Sequence, residues 1–465
     1  MAPASKARRL ERAATLASAA AIAAMAISIS ATQICIGLSI ALFFFSMVYS
    51  GREGAQKTGL HLPPPLREGA LLACGLILSL LYHCVRDPGP WLRQFLAGAN
   101  SELSDLPLFL FGFLVFRLTR HEDQRRILEG ALLVCGCVLI VSGVASVFSE
   151  FRLERLLTGV PPVASAANRP QHPLEWPIHA RLFRPTGLMN TRLTYAGMLV
   201  LLLPGWIAPQ ETSARLRYLK WSLAIAGIVL LLANGSRSAQ VGFVLSLPAL
   251  ALLLMHKHTR LRWAFPGVAA VVLLGAALLL FAYPTAPARA FELLVGRHTD
   301  YSRLIIWSTA GDLTAANPLF GVGPGNYEAA SLSWRSDFLI EHPELWYYFE
   351  NAPRGHAHND LLHLAAVGGL PGALLFLALC FQVARGALNG ATRARSLFIG
   401  CLALLGAGFA QCYYQDDEVV SLFWVVAALA TGAQTDTRRS SHFDPHFESP
   451  GAEVRPTDSP APPAY

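Results

Sequence analysis

The chain has 465 residues, 53% of them hydrophobic and 14% charged, with a formal net charge of +7. A soluble domain carries about a quarter charged residues, so this composition excludes an ordinary water-soluble globule. The positive charge does not indicate nucleic acid, because the basic residues fall mostly in short clusters between apolar blocks, where they orient membrane spans. Each block is near the ~20 residues that cross a bilayer. In lipid such a block must be helical, since no water satisfies an open strand edge. The sequence therefore predicts an all-α, polytopic transmembrane helical bundle with membrane lipid around it.

Twelve spans are expected, at about 13–30, 32–49, 68–85, 103–118, 128–148, 192–208, 219–234, 238–256, 262–283, 361–384, 396–412 and 419–433. The first five make an N-terminal unit over 1–148. Lys6, Arg8, Arg9 and Arg12 resemble the n-region of a signal peptide. A second apolar block follows at once, with only Thr32-Gln33 to mark a break, which favours a retained pair of helices. Between spans 5 and 6 lies a polar segment at 149–191. Spans 6–9 follow over 192–283, and then a second, larger non-membrane segment at 284–360. Spans 10–12 occupy 361–433. The tail at 434–465 is rich in Pro, Ser and charge and reads as disordered.

Loop charges orient these spans. With the N-terminus inside, the inner loops hold Arg52, Lys57 and Arg67; Arg117, Arg120, Arg125 and Arg126; Arg215, Arg217 and Lys220; Lys257, Arg260 and Arg262; and Arg385, Arg393 and Arg395. The opposite loop at 413–418 holds Asp416, Asp417 and Glu418 with no Lys or Arg. That alternation follows the positive-inside rule and places both termini on the cytoplasmic side, with both long segments outside. The eight cysteines all fall in or beside apolar blocks, with neither a disulfide framework nor zinc-ligand spacing.

Arginines on the outer side are the exceptions to that rule. Arg181, Arg184 and Arg192 lie in or at the end of the first outer segment; Arg237 sits in the hinge Asn234-Gly235-Ser236-Arg237-Ser238; Arg297 and Arg303 lie in the second. A cation near membrane depth needs a partner or a wet cavity. Interfacial snorkelling accounts for any one of them, whereas the set points to a shared anionic ligand. The guanidinium fork binds two phosphate oxygens at once. A second cluster, Arg354-Gly355-His356-Ala357-His358-Asn359-Asp360, immediately precedes the tenth span. A neutral imidazole from His356 or His358 is suited to act as a base near working pH. The two histidines lack the neighbours of a recognisable metal site, so no metal and no cofactor are expected. Asn359 or Asp360 is placed to cap the following helix, and both are candidates for contact with an acceptor or sugar. So are Trp346 and Tyr347, in an aromatic group that reads either as an interface belt or as a sugar-stacking surface. Between the clusters, Pro318-Leu319-Phe320-Gly321-Val322-Gly323-Pro324-Gly325-Asn326-Tyr327 is not a nucleotide-binding fingerprint. It reads as a turn that lets backbones approach closely.

The order of these motifs carries a resemblance. Ser236-Arg237-Ser238-Ala239 opens a span, followed by Ser302-Arg303 with Trp307 and then Pro318-Leu319-Phe320-Gly321-Val322-Gly323 with Tyr327. Next come His356-Ala357-His358-Asn359-Asp360-Leu361-Leu362 and Gly368-Gly369-Leu370-Pro371-Gly372. Over about 184–384 this resembles the O-antigen ligase and polymerase superfamily, which includes bacterial O-oligosaccharyltransferases. The resemblance implies a glycosyltransferase of GT-C type, taking glycan from undecaprenyl diphosphate at the periplasmic face without metal or nucleotide sugar. In the ligases the acceptor is lipid A-core, which completes lipopolysaccharide. By the same resemblance His358 matches the family's essential histidine, Arg237 and Arg303 its diphosphate-facing arginines, and Arg184 a further arginine. The chain departs at His363, where glutamine often stands. A polymerase or a protein glycosyltransferase would share the chemistry and differ in acceptor. A lipid-linked glycan transporter accounts for the spans and arginines but not for the histidines. It also calls for paired half-helices, which the sequence does not display.

Overall fold

The computed structural model describes residues 6–52, 62–86, 91–99, 101–148, 183–208, 213–257, 301–351 and 354–441. Every regular element among them is a helix. In chain order these are α1 (Lys6–Ala24), α2 (Ile29–Arg52), α3 (Leu66–Arg86), α4 (Trp91–Ala99), α5 (Leu106–Leu118), α6 (Glu122–Phe148), α7 (Arg192–Ile207), α8 (Ala214–Asn234) and α9 (Arg237–Lys257). The second half contains α10 (Tyr301–Ala316), α11 (Tyr327–Glu341), a 3₁₀ turn at Pro343–Leu345, α12 (Trp346–Asn351), α13 (Asp360–Asn389), α14 (Thr392–Gly408) and α15 (Asp417–Ser441).

Seven described helices are long and apolar enough to cross a membrane, spanning Ile29–Ser50, Leu66–Arg86, Glu122–Phe148, Ala214–Asn234, Arg237–Met255, Asp360–Asn389 and Asp417–Thr435. The chain is a multi-pass helical membrane protein. Helices α5 and α7 are shorter apolar helices, α14 has 17 residues, and α1 carries Lys6, Arg8, Arg9, Glu11 and Arg12 in its first turns. The expected span 262–283, and residues 149–182 and 284–300 of the outer segments, lie outside the described residues.

Two expectations are corrected. The first pair of helices separates at Met25–Ser28, not at Thr32-Gln33. Thr32 lies inside α2 because its hydroxyl donates back to Ser28 O at 2.9 Å, which lets a polar side chain sit within a helix. The tail does not leave the helix at 434, since α15 continues to Ser441. Residues 442–465 lie outside the described residues.

Packing follows the logic of helices in lipid. Phe44, Leu78, Val141, Ile225, Leu374 and Phe381 are exposed on outward faces, where hydrocarbon rather than water is their solvent. Between helices, small residues let large rings in, as for Trp424 of α15 against Gly69 and Gly112 and Trp206 against Gly136. Helix α15 is the innermost, with Phe423 and Trp424 each only 1% exposed. It packs on α5, α7 and α14, while α9 and α13 lean on α14.

One transmembrane helix is broken. Within α13, Gly369 adopts φ 69° and ψ −170°, and Pro371 follows it. The break strands backbone groups that a continuous helix would pair. The loop joining α10 to α11 supplies the partners: Val322 N–H donates to Ala366 O at 2.8 Å, Gly323 N–H to Val367 O at 3.0 Å, and Leu370 N–H to Pro318 O at 2.8 Å. Such contacts require bare backbone. A Cβ on Gly321 would stand 2.4 Å from Ala366 O, and one on Gly369 2.6 Å from the Leu319 carbonyl carbon. The two glycine-rich motifs are therefore the two halves of one docking contact. From α3, Ser79 Oγ donates to Phe320 O at 2.6 Å and Tyr82 stacks on Phe320 at 4.2 Å, fixing the loop from a third side.

Candidate active site

Helix α8 ends at Asn234, and Gly235 turns the chain into α9 through a left-handed conformation. Asn234 ties that turn to the segment before α7, its Nδ2 donating to Pro185 O at 2.7 Å and to Arg192 O at 3.0 Å. Its Oδ1 accepts from Ser236 N–H at 3.1 Å. The result gathers Arg237 with Arg184 and Arg192, which lie about 50 residues earlier in the chain. The Arg184 guanidinium lies against Gly235, and Arg192 feels the charges of both Arg184 and Arg237. Among the described residues, none of the three has a carboxylate ion-pair partner. Clustered, uncompensated guanidinium groups form a site for an anion.

The histidine half is built at the start of α13. Asn359 is the cap: its Oδ1 accepts from Leu362 N–H at 3.1 Å, while its Nδ2 donates to Phe409 O at 2.9 Å. Asp360 is buried, and its Oδ1 accepts from Tyr414 N–H at 3.0 Å. Immediately before the cap, His358 takes φ 48°, a conformation costing an L-residue ~1–2 kcal/mol. Its Nδ1 lies 2.8 Å from Gln411 Oε1. An amide oxygen only accepts, so Nδ1 carries the proton and Nε2 keeps its lone pair. That Nε2 is buried and has no hydrogen-bond partner among the described residues. Burial holds the His358 imidazole below its ordinary value, against the Gln411 hydrogen bond and with help from the Arg303 charge. His356 packs its ring 4.3 Å from that of His358. Burial, with the neighbouring His358 and His363, brings it down to about 4. Both rings are neutral at pH 7.

One connection joins the halves. Between α14 and α15, the stretch 409–416 presents Gln411 to His358, Tyr414 N–H to Asp360, and Tyr413 OH to Ser238 Oγ at 3.0 Å and Ser236 Oγ at 3.3 Å beside the arginines. Asp416 Oδ2 accepts from Thr194 Oγ1 at 2.6 Å in the first turn of α7. Tyr413 and Gln411 thus hold the cationic and basic halves two residues apart on one backbone.

A buried polar group lies one turn further along α13. His363 Nε2 meets Glu102 Oε1 at 3.0 Å, and Glu102 Oε2 accepts from Gly325 N–H at 2.7 Å. Gln415 Nε2 contacts both His363 and Glu102, and Tyr327 packs edge-on against His363. Burial works against ionisation of Glu102, but the hydrogen bond and charge of His363 outweigh it and keep the carboxyl below its usual range. His363, where the sequence departs from the resemblance, therefore ties α13 to the glycine loop.

Of the expected residues, the structure brings together Arg184 and Arg237, places Arg303 within electrostatic reach of His358, and sets His356, His358, Asn359 and Asp360 in one turn. It does not bring Trp346 and Tyr347 to them. Both are exposed on α12, at 59% and 64%. Arg181 and Arg297 lie outside the described residues. Sequence reasoning missed Gln411, Tyr413, Gln415 and Glu102. Their signal was present: polar and acidic residues flanking apolar spans, with no nearby cation to explain them.

These features define an α-helical, multi-pass membrane protein with a cluster of arginines linked through one connection to a neutral histidine pair. Residues 221–377 match the family model described as O-Antigen ligase, a segment that contains Arg237, Arg303, His356 and His358. That family is one of glycosyltransferase-type enzymes of lipopolysaccharide assembly. No curated protein matches the chain.

Proposed function

We propose that this protein is an O-antigen ligase, transferring glycan from undecaprenyl diphosphate to lipid A-core at the periplasmic face of the inner membrane. The carrying observation is the pairing of an unpartnered His358 Nε2 with uncompensated arginines across one connection. The acceptor hydroxyl oxygen attacks the anomeric carbon as its proton passes to His358 Nε2. The bond from that carbon to the diphosphate oxygen breaks, and the departing diphosphate gains charge that Arg184, Arg237 and Arg303 stabilise. Because one displacement occurs, the anomeric configuration inverts. The proposal carries a GT-C architecture with twelve spans and both termini inside; α1, α5, α7 and α14 fill four of the expected positions beyond the seven long spans. Asn359 and Asp360 position the His358 turn.

The test is deletion of the gene and complementation with wild type, His358→Ala or His356→Ala, read on a lipopolysaccharide gel beside a glycoprotein blot. Bare lipid A-core in the deletion, with glycan accumulating on its lipid carrier and no rescue by His358→Ala, is the expected result. An intact ladder with lost glycoprotein makes the acceptor a protein. A ladder reduced to one repeat makes the enzyme a polymerase.

A further inference from the structure

Two of the clustered arginines stand at helix starts. Arg192 is the first residue of α7 and Arg237 the first residue of α9, and both are exposed. A helix N-terminus carries the positive end of the helix dipole, so a cation placed there is opposed by its own helix. Arg192 also feels the charges of Arg184 and Arg237. Repulsion among these cations works to separate the starts of α7 and α9 until an anion joins them. A contact of another kind must hold the two turns in register.

Tyr413 makes that contact. Its ring lies over a bare stretch of α7, where a Cβ on Gly197 would stand 2.9 Å from Tyr413 Cε1 and 3.1 Å from Val419 Cγ2. Its hydroxyl closes a triangle with the residues on either side of Arg237. The edges are Tyr413 to Ser238 at 3.0 Å, Tyr413 to Ser236 at 3.3 Å, and Ser236 to Ser238 at 3.3 Å. Each hydroxyl can donate once and accept, so three in a triangle satisfy one another. All three side chains are buried. Further along the same connection, Asp416 Oδ2 accepts from Thr194 Oγ1 at 2.6 Å, and Thr191 caps α7 by accepting from Thr194 N–H at 3.0 Å. The connection therefore grips both arginine-bearing turns.

We infer that Tyr413 is a positioning residue for the anionic donor, holding the starts of α7 and α9 together so that a diphosphate meets Arg192 and Arg237 already aimed. This role rests on the proposed function, which puts a diphosphate at these arginines. Within one connection, Tyr413 then serves donor binding and Gln411 serves the base.

The test is titration of the full-length protein in detergent with undecaprenyl diphosphate, with undecaprenol as the uncharged control. Tyr413→Phe should weaken undecaprenyl diphosphate binding about fivefold, the contribution of one hydrogen bond, and leave the acceptor KM unchanged. Thr194→Val, on the α7 side, should weaken it to a similar extent. Gln411→Leu should leave this binding alone and lower kcat. Salt screens repulsion between exposed charges, so the gap between wild type and Tyr413→Phe should narrow to about twofold between roughly 0.05 and 1 M salt. A defect from disturbed packing alone would not follow salt. Equal binding by wild type and Tyr413→Phe, or a gap that salt leaves unchanged, overturns the assignment while the proposed function stands. A wild type that binds undecaprenyl diphosphate no better than undecaprenol overturns both.

Discussion

His358 Nδ1 lies 2.8 Å from Gln411 Oε1, across 53 residues of chain, and that contact fixes one tautomer of the neutral ring that burial favours. The amide oxygen cannot donate, so the imidazole presents a bare Nε2. Replacing Gln411 with Leu removes the acceptor and lets the ring rotate or change tautomer. Transfer should fall on the order of 10–10²-fold, within the range of general-base catalysis, with protein abundance unchanged. Gln411→Glu keeps an acceptor and should retain more activity than Gln411→Leu. Steady-state rates on purified donor and acceptor decide it; equal rates for the two variants would remove the tautomer argument.

The pH dependence has a defined sign. Burial lowers His358 from its ordinary 6.5, so its lone pair persists as pH falls through that value. Transfer should stay flat from neutral pH down through 6.5 and decline only in more acid solution. Stability carries the same sign: the unfolded chain takes up the proton first, so the contribution of His356 is complete above 6.5 and is lost as pH falls towards about 4. A pH–rate profile with an inflection at or above 6.5 would contradict the buried neutral ring.

The arginine cluster predicts a difference between charge and shape. Arg237→Lys preserves the cation but not the planar fork that spans two phosphate oxygens. It should lose transfer nearly as fully as Arg237→Ala, both with normal abundance, because Arg237 is exposed and holds no packing position. A lysine variant with near-normal rates would show that a point charge suffices.

The docking of the glycine loop into the broken helix is a stability element. Gly369→Ala combines the ~1–2 kcal/mol strain of a left-handed Cβ with a 2.6 Å approach to the Leu319 backbone. It should cost more than the strain alone. Gly311→Ala is the contrasting change, on an exposed position of α10 where a Cβ meets nothing within 4 Å. It should raise stability by ~0.5–1 kcal/mol. Thermal unfolding of both variants in one detergent compares them directly.

Hydropathy alone determined that this chain is a helical membrane protein, because lipid leaves the backbone no alternative to internal pairing. Local motifs determined the hinge at Asn234–Ser238, a cap at Asn359 or Asp360 and the histidine pair, since caps and turns are set by residues a few positions apart; the structure makes Asn359 the cap. Loop charges proposed an outer end; of the segments assigned there, Arg184 and Arg237 both lie within electrostatic reach of Arg192, Arg303 lies within reach of His358, and the 409–416 connection touches both His358 and Ser236–Ser238. Only the tertiary structure decided that Gln411 orients His358, that Tyr413 holds Ser236 and Ser238, and that Glu102 reaches His363 across 261 residues. It also decided that the loop at 318–323 exists to pair the backbone groups stranded at Gly369. Those partners come from separate helices with no shared periodicity. A side chain's sequence carries its donors and acceptors, but helix packing chooses which of them meet.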